Sequence, residues 1–288
     1  MNHDSEHRRP RRSQRGLALL GGALLLAACA GPPGPAPAGL GYEVPDPNPA
    51  TYSFSDSTAF SIESGVGRME VLTTSVGTAE LEFRDEPPGY RVEVRFPRLD
   101  VAFETPAQGA VRADEADVDG PVVVRLGARG DLVVVDTPAL GATLAEVTGP
   151  EGLVRSLFVQ LPGRPVREGA RWVDTVTTRE ESGGTVTRST SVITSVLLGD
   201  TIVEGRRLLR IRTSASHDVE VTGVSGGVDV EQRLTGESWG RLLWDEASDV
   251  LFTRFEEGEL TGTLTLPGTG AAPLPVTAWL RRDVSLRR

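Results

Sequence analysis

His217 and Cys29 have the widest chemical reach in this chain, and the setting of each narrows what it can do. The sequence holds three histidines, at positions 3, 7 and 217, and one cysteine. Asp218 follows His217, but adjacent residues of a strand point to opposite faces and cannot form a directed His–carboxylate pair. His217 therefore reads as a surface residue at a strand end or turn. Lysine is absent, so all 30 basic residues are arginine. Schiff-base chemistry, a lysine general base and a P-loop fall away with it. A lone cysteine excludes an internal disulfide and any cysteine-rich metal site. The raw material for an enzyme is thin, and no cofactor is expected.

Two further groupings could carry chemistry. Asp114-Glu115-Ala116-Asp117-Val118-Asp119-Gly120 alternates carboxylates ahead of a glycine, as a calcium loop does at its start. Pro121 and a valine run follow, and Leu126 stands where a bidentate Glu would be required. A solvated acidic loop is the preferred reading, and no metal site is expected; Asp117 and Asp119 would be the ligands if a cation bound. Trp172, Trp239, Trp244 and Trp279 all lie in the second half. They read as core residues before they read as an aromatic platform.

The amino terminus carries Arg8, Arg9, Arg11, Arg12 and Arg15, followed by the apolar run Gly16 to Ala28. As a helix this run would span roughly 20 Å, short of the ~30 Å hydrocarbon core, so it reads as a signal-peptide core and not a membrane span. It ends in Leu26-Ala27-Ala28-Cys29. These four residues resemble the bacterial lipobox. The resemblance implies cleavage between Ala28 and Cys29, lipid attachment to Cys29, and a membrane-anchored lipoprotein. Ala30, with no Asp at that position, is similar to the pattern of lipoproteins sent to the outer membrane, facing the periplasm. Removing residues 1–28 takes away five arginines and two carboxylates, leaving 25 Arg against 38 acidic residues. That balance argues against nucleic acid as a partner.

Residues 30–50 contain seven prolines, and such a stretch favours extended backbone over a packed core, so it reads as a tether. From Thr51 the dominant period is two. Tyr90, Val92, Val94 and Phe96 alternate with Arg91, Glu93 and Arg95, the pattern of an antiparallel strand with one wet face. With 67–83 it forms a long hairpin across Asp85-Glu86-Pro87-Pro88-Gly89. A second hairpin, 122–126 with 132–135, carries valine runs that suggest burial on both faces. Between residues 138 and 161 apolar residues recur at helical spacing, with Thr148 as N-cap of a second piece opened by Pro150. Strands then resume to the end. The spacing predicts a mainly β, antiparallel fold of strongly curved sheets, half-barrel or twin half-barrel, with one central helical segment at about 138–161. Gly130–Asp136 and Gly240–Asp245 share a Gly-strand-Asp pattern, which leaves open two related units.

The chain thus divides into a signal peptide (1–28), a lipidated cysteine and Pro-rich tether (29–50), a first β unit (51–136), a helical connector (137–169) and a second β unit (170–288). This combination is similar to bacterial envelope lipoproteins of the LolA/LolB-like half-barrel kind. That resemblance implies an apolar cavity between sheet and helix that holds acyl chains. Leu153, Leu157, Phe158 and Trp172 are the residues expected to line it. The functional expectation is a non-enzymatic lipoprotein binding a lipid or acyl chain. The alternative is an envelope scaffold acting through protein–protein contacts.

Overall fold

Alternating inward and outward side chains dictate most of what the chain becomes. The computed structural model describes residues 38–65, 67–106, 109–182, 184–225 and 227–287. The signal peptide, Ala28 and Cys29 lie outside the described residues. In chain order the strands are β1 (Ala50–Ser64), β2 (Gly67–Glu86), β3 (Gly89–Thr105), β4 (Gly109–Asp114), β5 (Val118–Asp119), β6 (Val122–Leu126), β7 (Leu132–Asp136) and β8 (Ala139–Leu140). Two short helices follow, α1 (Ala142–Val147) and α2 (Pro150–Arg155). Then come β9 (Arg171–Ser182), β10 (Thr185–Val203), β11 (Arg206–Ser225), β12 (Val228–Asp245), β13 (Val250–Thr265) and β14 (Leu274–Leu286).

One antiparallel sheet runs β7-β6-β3-β2-β1-β14-β13-β12-β11-β10-β9, with β4 added to β3. It curls into a half-barrel, and β5 and β8 pair separately. The seam is β1 against β14, in register from Tyr52↔Leu286 to Ile62↔Val276. This pairing makes the regions before and after the helices two wings of a single sheet. The related Gly-strand-Asp segments occupy unlike places in it, the edge strand β7 and the interior strand β12.

Curvature has local causes. Register shifts at Thr78/Glu80, Leu197/Asp200 and Leu243/Trp244 put the extra residue on β3, β10 and β13 and bend them. Glycines let neighbouring backbones approach on the concave side: a Cβ at Gly236 would lie 2.1 Å from the Glu259 carbonyl oxygen. The free edges are protected. β7 has only five residues, and β9 carries Arg171, Arg179 and Glu181.

The main core fills the end of the half-barrel where the helices lie. Val92, Val94, Leu81, Leu126, Leu144, Val154 and Leu157 are all buried there. At residues 38–50 the tether expectation requires correction, because this stretch packs into the same core. Leu40 is 1% exposed and Tyr42 3%. Ala38 bridges Val166, and the Gly163 N–H donates to the Leu40 carbonyl at 2.9 Å. The proline count masked two large apolar side chains at i, i+2 spacing.

The helical segment is also shorter than its periodicity suggests. Gly149 and Pro150 break it: Gly149 is the N-cap of α2 with Pro150 at its start, and Thr148 instead ends α1. The valine hairpin is buried on both faces only along β6. Val133 and Val135 of β7 are exposed, since β7 has no further strand or layer over that face. A second, smaller apolar cluster of Leu234, Leu260, Val276 and Ala278 lies further along the strands.

Candidate ligand-binding site

Between the two apolar clusters the concave face is hollow. A cavity of about 450 Å³ is bounded by the stretch Phe158–Gln160 on one side and by strands β9 to β14 and β1 on the other. That size falls in the ~300–1,000 Å³ range of small-molecule sites. Its wall is mixed. Phe158, Val176, Ile193, Ala215, Val219 and Leu242 supply apolar surface, while hydroxyls come from Thr178, Thr187, Ser189, Ser191, Ser195, Thr213 and Ser238. The expectation of a wall of apolar side chains with few polar groups is not met. β10 contributes a row of small polar residues because Thr187, Ser189, Ser191 and Ser195 share one parity on a strand.

Of the four residues expected to line the cavity, Phe158 does. Leu153, Leu157 and Trp172 are instead part of the packed core behind it. Trp172 turns its indole N–H to the Gln160 carbonyl at 3.4 Å, tying the exit of the helical segment to β9. Helical spacing identifies which side chains are buried but not whether they face a packed neighbour or a hollow. Trp244 is fully buried, whereas Trp239 and Trp279 stand exposed on the convex face, so the core reading holds for only part of the set.

His217 departs furthest from its expected place. It lies in the middle of β11, half-buried, facing the cavity, with both ring nitrogens engaged. Nδ1 is 2.8 Å from Ser191 Oγ and Nε2 is 2.8 Å from Ser238 Oγ. Ser238 Oγ in turn donates to Glu256 Oε1 at 3.0 Å. Glu256 is held between two arginines. Arg254 Nη2 donates to its Oε2 at 2.5 Å and Arg282 Nη1 lies 3.5 Å from the same oxygen. Arg254 also donates to the Ser156 and Phe158 carbonyls at 3.1 and 3.2 Å, and Arg282 to Asp56 at 2.9 Å.

These contacts fix the proton positions. Burial alone would raise the Glu256 pKa, but Arg254 and Arg282, with hydrogen bonds from Arg254 and Ser238, hold it down at about 2. An ionised carboxylate only accepts, so Ser238 must spend its single proton on Glu256. Ser238 oxygen then accepts from His217 Nε2–H. Burial lowers the His217 pKa, an effect that Glu256 opposes and Arg282 adds to, so the ring is neutral at neutral pH. Neutral His217 with its proton on Nε2 leaves Nδ1 to accept from the Ser191 hydroxyl. The order of donation is Ser191 to His217 to Ser238 to Glu256.

Glycines make room for this chain. Gly236 pairs with His217 and Gly258 with Ser238. A Cβ on Gly258 would meet Ser238 Cβ at 2.6 Å. Nearer the helices, Glu180 lines the cavity with its pKa raised by burial and by Glu151, against an opposing effect of Arg155.

The acidic loop is occupied with backbone N–H groups of its own and of β3. The Asp114 carboxylate accepts from Ala116 N–H, Asp117 accepts from Asp114 N–H, and Glu115 accepts from Leu99 N–H. Among the described residues no group of three or more His, Cys, Asp or Glu side chains could hold a metal. Nor is any described helix long and apolar enough to cross a membrane.

Sequence reasoning missed the Ser191–His217–Ser238–Glu256 chain because β10 and β11 carry small polar residues at both parities, Thr190 and Thr194 beside Ser191, Ser214 and Ser216 beside His217; the one local signal, Gly236-Glu237-Ser238-Trp239-Gly240, has Gly-x-Ser-x-Gly spacing but lies within strand β12 and not at a strand-to-helix elbow. No family model matches the chain, and a search of curated proteins likewise returned no match.

Proposed function

We propose that this chain is a non-enzymatic envelope lipoprotein, anchored to the outer membrane through lipid on Cys29, that holds an acyl-chain ligand in the hollow of its half-barrel. The observation that carries the reading is the cavity of about 450 Å³ bounded by the Phe158–Gln160 stretch and the concave sheet. Its apolar wall residues continue into the second apolar cluster through Val219, which suits a hydrocarbon tail. Its hydroxyl row suits a polar end. The ligand is therefore an amphiphile and not a bare alkane.

The test uses the full chain with Cys29→Ser, so that no acyl group is attached covalently. Purified protein is extracted with solvent and the extract is read by mass spectrometry. An acyl-bearing species near one per chain supports the reading, and a stable protein that yields none overturns it.

A second reading, a scaffold acting through protein–protein contacts, draws on the convex face. Trp239 and Trp279 are 51% and 39% exposed there, and Phe255 packs against Trp239 with Arg241 and Arg281 over its ring. Exposed aromatics beside arginine are the composition of interface anchors.

A further inference from the structure

Resting on the ligand-holding reading, we infer that the polar end of the ligand is an uncharged, hydroxyl-bearing head group, as in an acylglycerol, received at Ser191, and that free fatty acids and acyl phosphates are poor ligands.

The charges around the cavity are already matched. Arg155, Arg254 and Arg282 reach its wall, but Arg155 is engaged by Glu151, Arg254 by Glu256, and Arg282 by Asp56 and Glu256. Glu180 adds a further carboxyl. Three guanidinium groups thus meet four carboxyl groups. An anionic head would enter beside Glu256 and Glu180; Arg155 Nε has no hydrogen-bond partner, but the charge of that guanidinium is already shared by Glu151 and Glu180, and Arg254 or Arg282 could be claimed only by stranding a buried carboxylate. Arg254 is less free still, since its Nη1 donates to two backbone carbonyls.

Hydrogen-bond direction then selects among neutral heads. The Ser191 proton is committed to His217, so Ser191 presents oxygen lone pairs to the cavity and calls for a donor. Next to it on β10, Ser189 Oγ shares one hydrogen bond of 2.7 Å with Thr178 Oγ1. Two hydroxyls that share one bond keep one proton to give. The wall therefore offers both an acceptor and a donor at neighbouring positions of one face. A hydroxyl both donates and accepts, and a head with adjacent hydroxyls matches such a wall. An ionised carboxylate or a phosphate dianion cannot donate to Ser191.

The experiment is competition on the full chain with Cys29→Ser. N-phenyl-1-naphthylamine, a neutral apolar fluorophore, reports occupancy, and 1-monolauroylglycerol, laurate and lauryl phosphate compete for the site. The three share one chain length and differ only in the head. The expected result is displacement by monolauroylglycerol at about tenfold lower concentration than by either anion, a gap that Ser191→Ala narrows. Equal or better displacement by laurate or lauryl phosphate on the unsubstituted cavity overturns the inference while leaving ligand holding intact. A gap unaffected by Ser191→Ala overturns the role of Ser191. Failure of the fluorophore and of all three amphiphiles to bind overturns the ligand-holding reading itself, and this inference with it.

Discussion

The Tyr42 hydroxyl accepts a hydrogen bond from the Val159 backbone N–H at 2.8 Å, joining the amino-terminal stretch to the wall of the cavity across 117 residues. The Tyr42 ring packs edge-on against Trp244 at 5.1 Å and against Phe158 at 6.1 Å. Tyr42 thus pins the Phe158–Gln160 stretch from behind while its other face fills the core. Two substitutions separate these contributions. Tyr42→Phe keeps the ring and leaves a buried N–H unpaired, which costs about 1–3 kcal/mol. Tyr42→Ala also opens a cavity and costs about 3–5 kcal/mol. Urea midpoints at an unchanged m-value measure both. A Tyr42→Ala midpoint equal to that of the unsubstituted chain would show that residues 38–50 do not pack as described.

Glu256 holds two arginines in place, so its removal leaves uncompensated positive charge near the cavity wall. Glu256→Gln is expected to destabilise by about 3 kcal/mol, the low end for breaking a buried ion pair, because the amide oxygen still accepts hydrogen bonds. The pH dependence follows from the direction of the shift. The folded-state pKa lies below the ordinary value of 4.5, at about 2. Its contribution to stability is present above the unfolded-state value and is lost as pH falls from there through about 2. Chemical denaturation of both proteins across that range checks this: Glu256→Gln flattens the acid limb, and an unchanged limb would remove Glu256 as its cause.

Asp249 behaves in the opposite sense. It adopts a positive φ of 50° in the turn between β12 and β13, and burial, with Glu43, Glu246 and Asp245 nearby, raises its pKa to about 6. A raised folded-state value favours the protonated form, so its contribution is present below the unfolded value of 3.8 and is lost as pH rises through about 6. At neutral pH the ionised side chain is a cost. Asp249→Asn removes the charge and suits the left-handed backbone equally well. After discounting for solvent screening at a partly exposed site, the expected gain is about 1 kcal/mol at neutral pH, shrinking toward zero near pH ~4. A thermal melt at each pH measures it.

How much of this was legible in the sequence depends on whether a strand face carried a single meaning. Val92 and Val94 are fully buried and Phe96 nearly so, with Arg91, Glu93 and Arg95 opposite, as the alternation requires. The hairpin of β2 and β3 follows, with Leu81 set against Val94. Long-range closure was not legible. Nothing local in Phe54 or Val284 announces that they pair across the seam of β1 and β14. The site failed for another reason. A hydrophobic pattern finds what packs, and a hollow is lined by residues that do not, so serines and threonines at both parities leave the inner face unassigned. His217 could have been placed inside only by knowing that Gly236 and Gly258 open space across from it and from Ser238.

Those glycines carry the last prediction. Gly258 faces Ser238 across the β12–β13 pair, and a Cβ there would lie 2.6 Å from both Ser238 Cβ and the Glu237 carbonyl oxygen. Both atoms belong to a strand interior that cannot retreat without lengthening ladder hydrogen bonds. Gly258→Ala is therefore expected to cost about 1–3 kcal/mol as an overpacking substitution. Its distinguishing consequence is local. Displacing Ser238 breaks the link between His217 and Glu256, so the imidazole proton is no longer held on Nε2 and Ser191 loses its fixed direction of donation. Nitrogen chemical shifts of the single His217 ring in the chain from Cys29→Ser onward report which nitrogen is protonated. They should show one tautomer, with the proton on Nε2, in the unsubstituted cavity and a mixture in Gly258→Ala. A single unchanged tautomer in both would mean that Ser238 does not set the polarity of the chain.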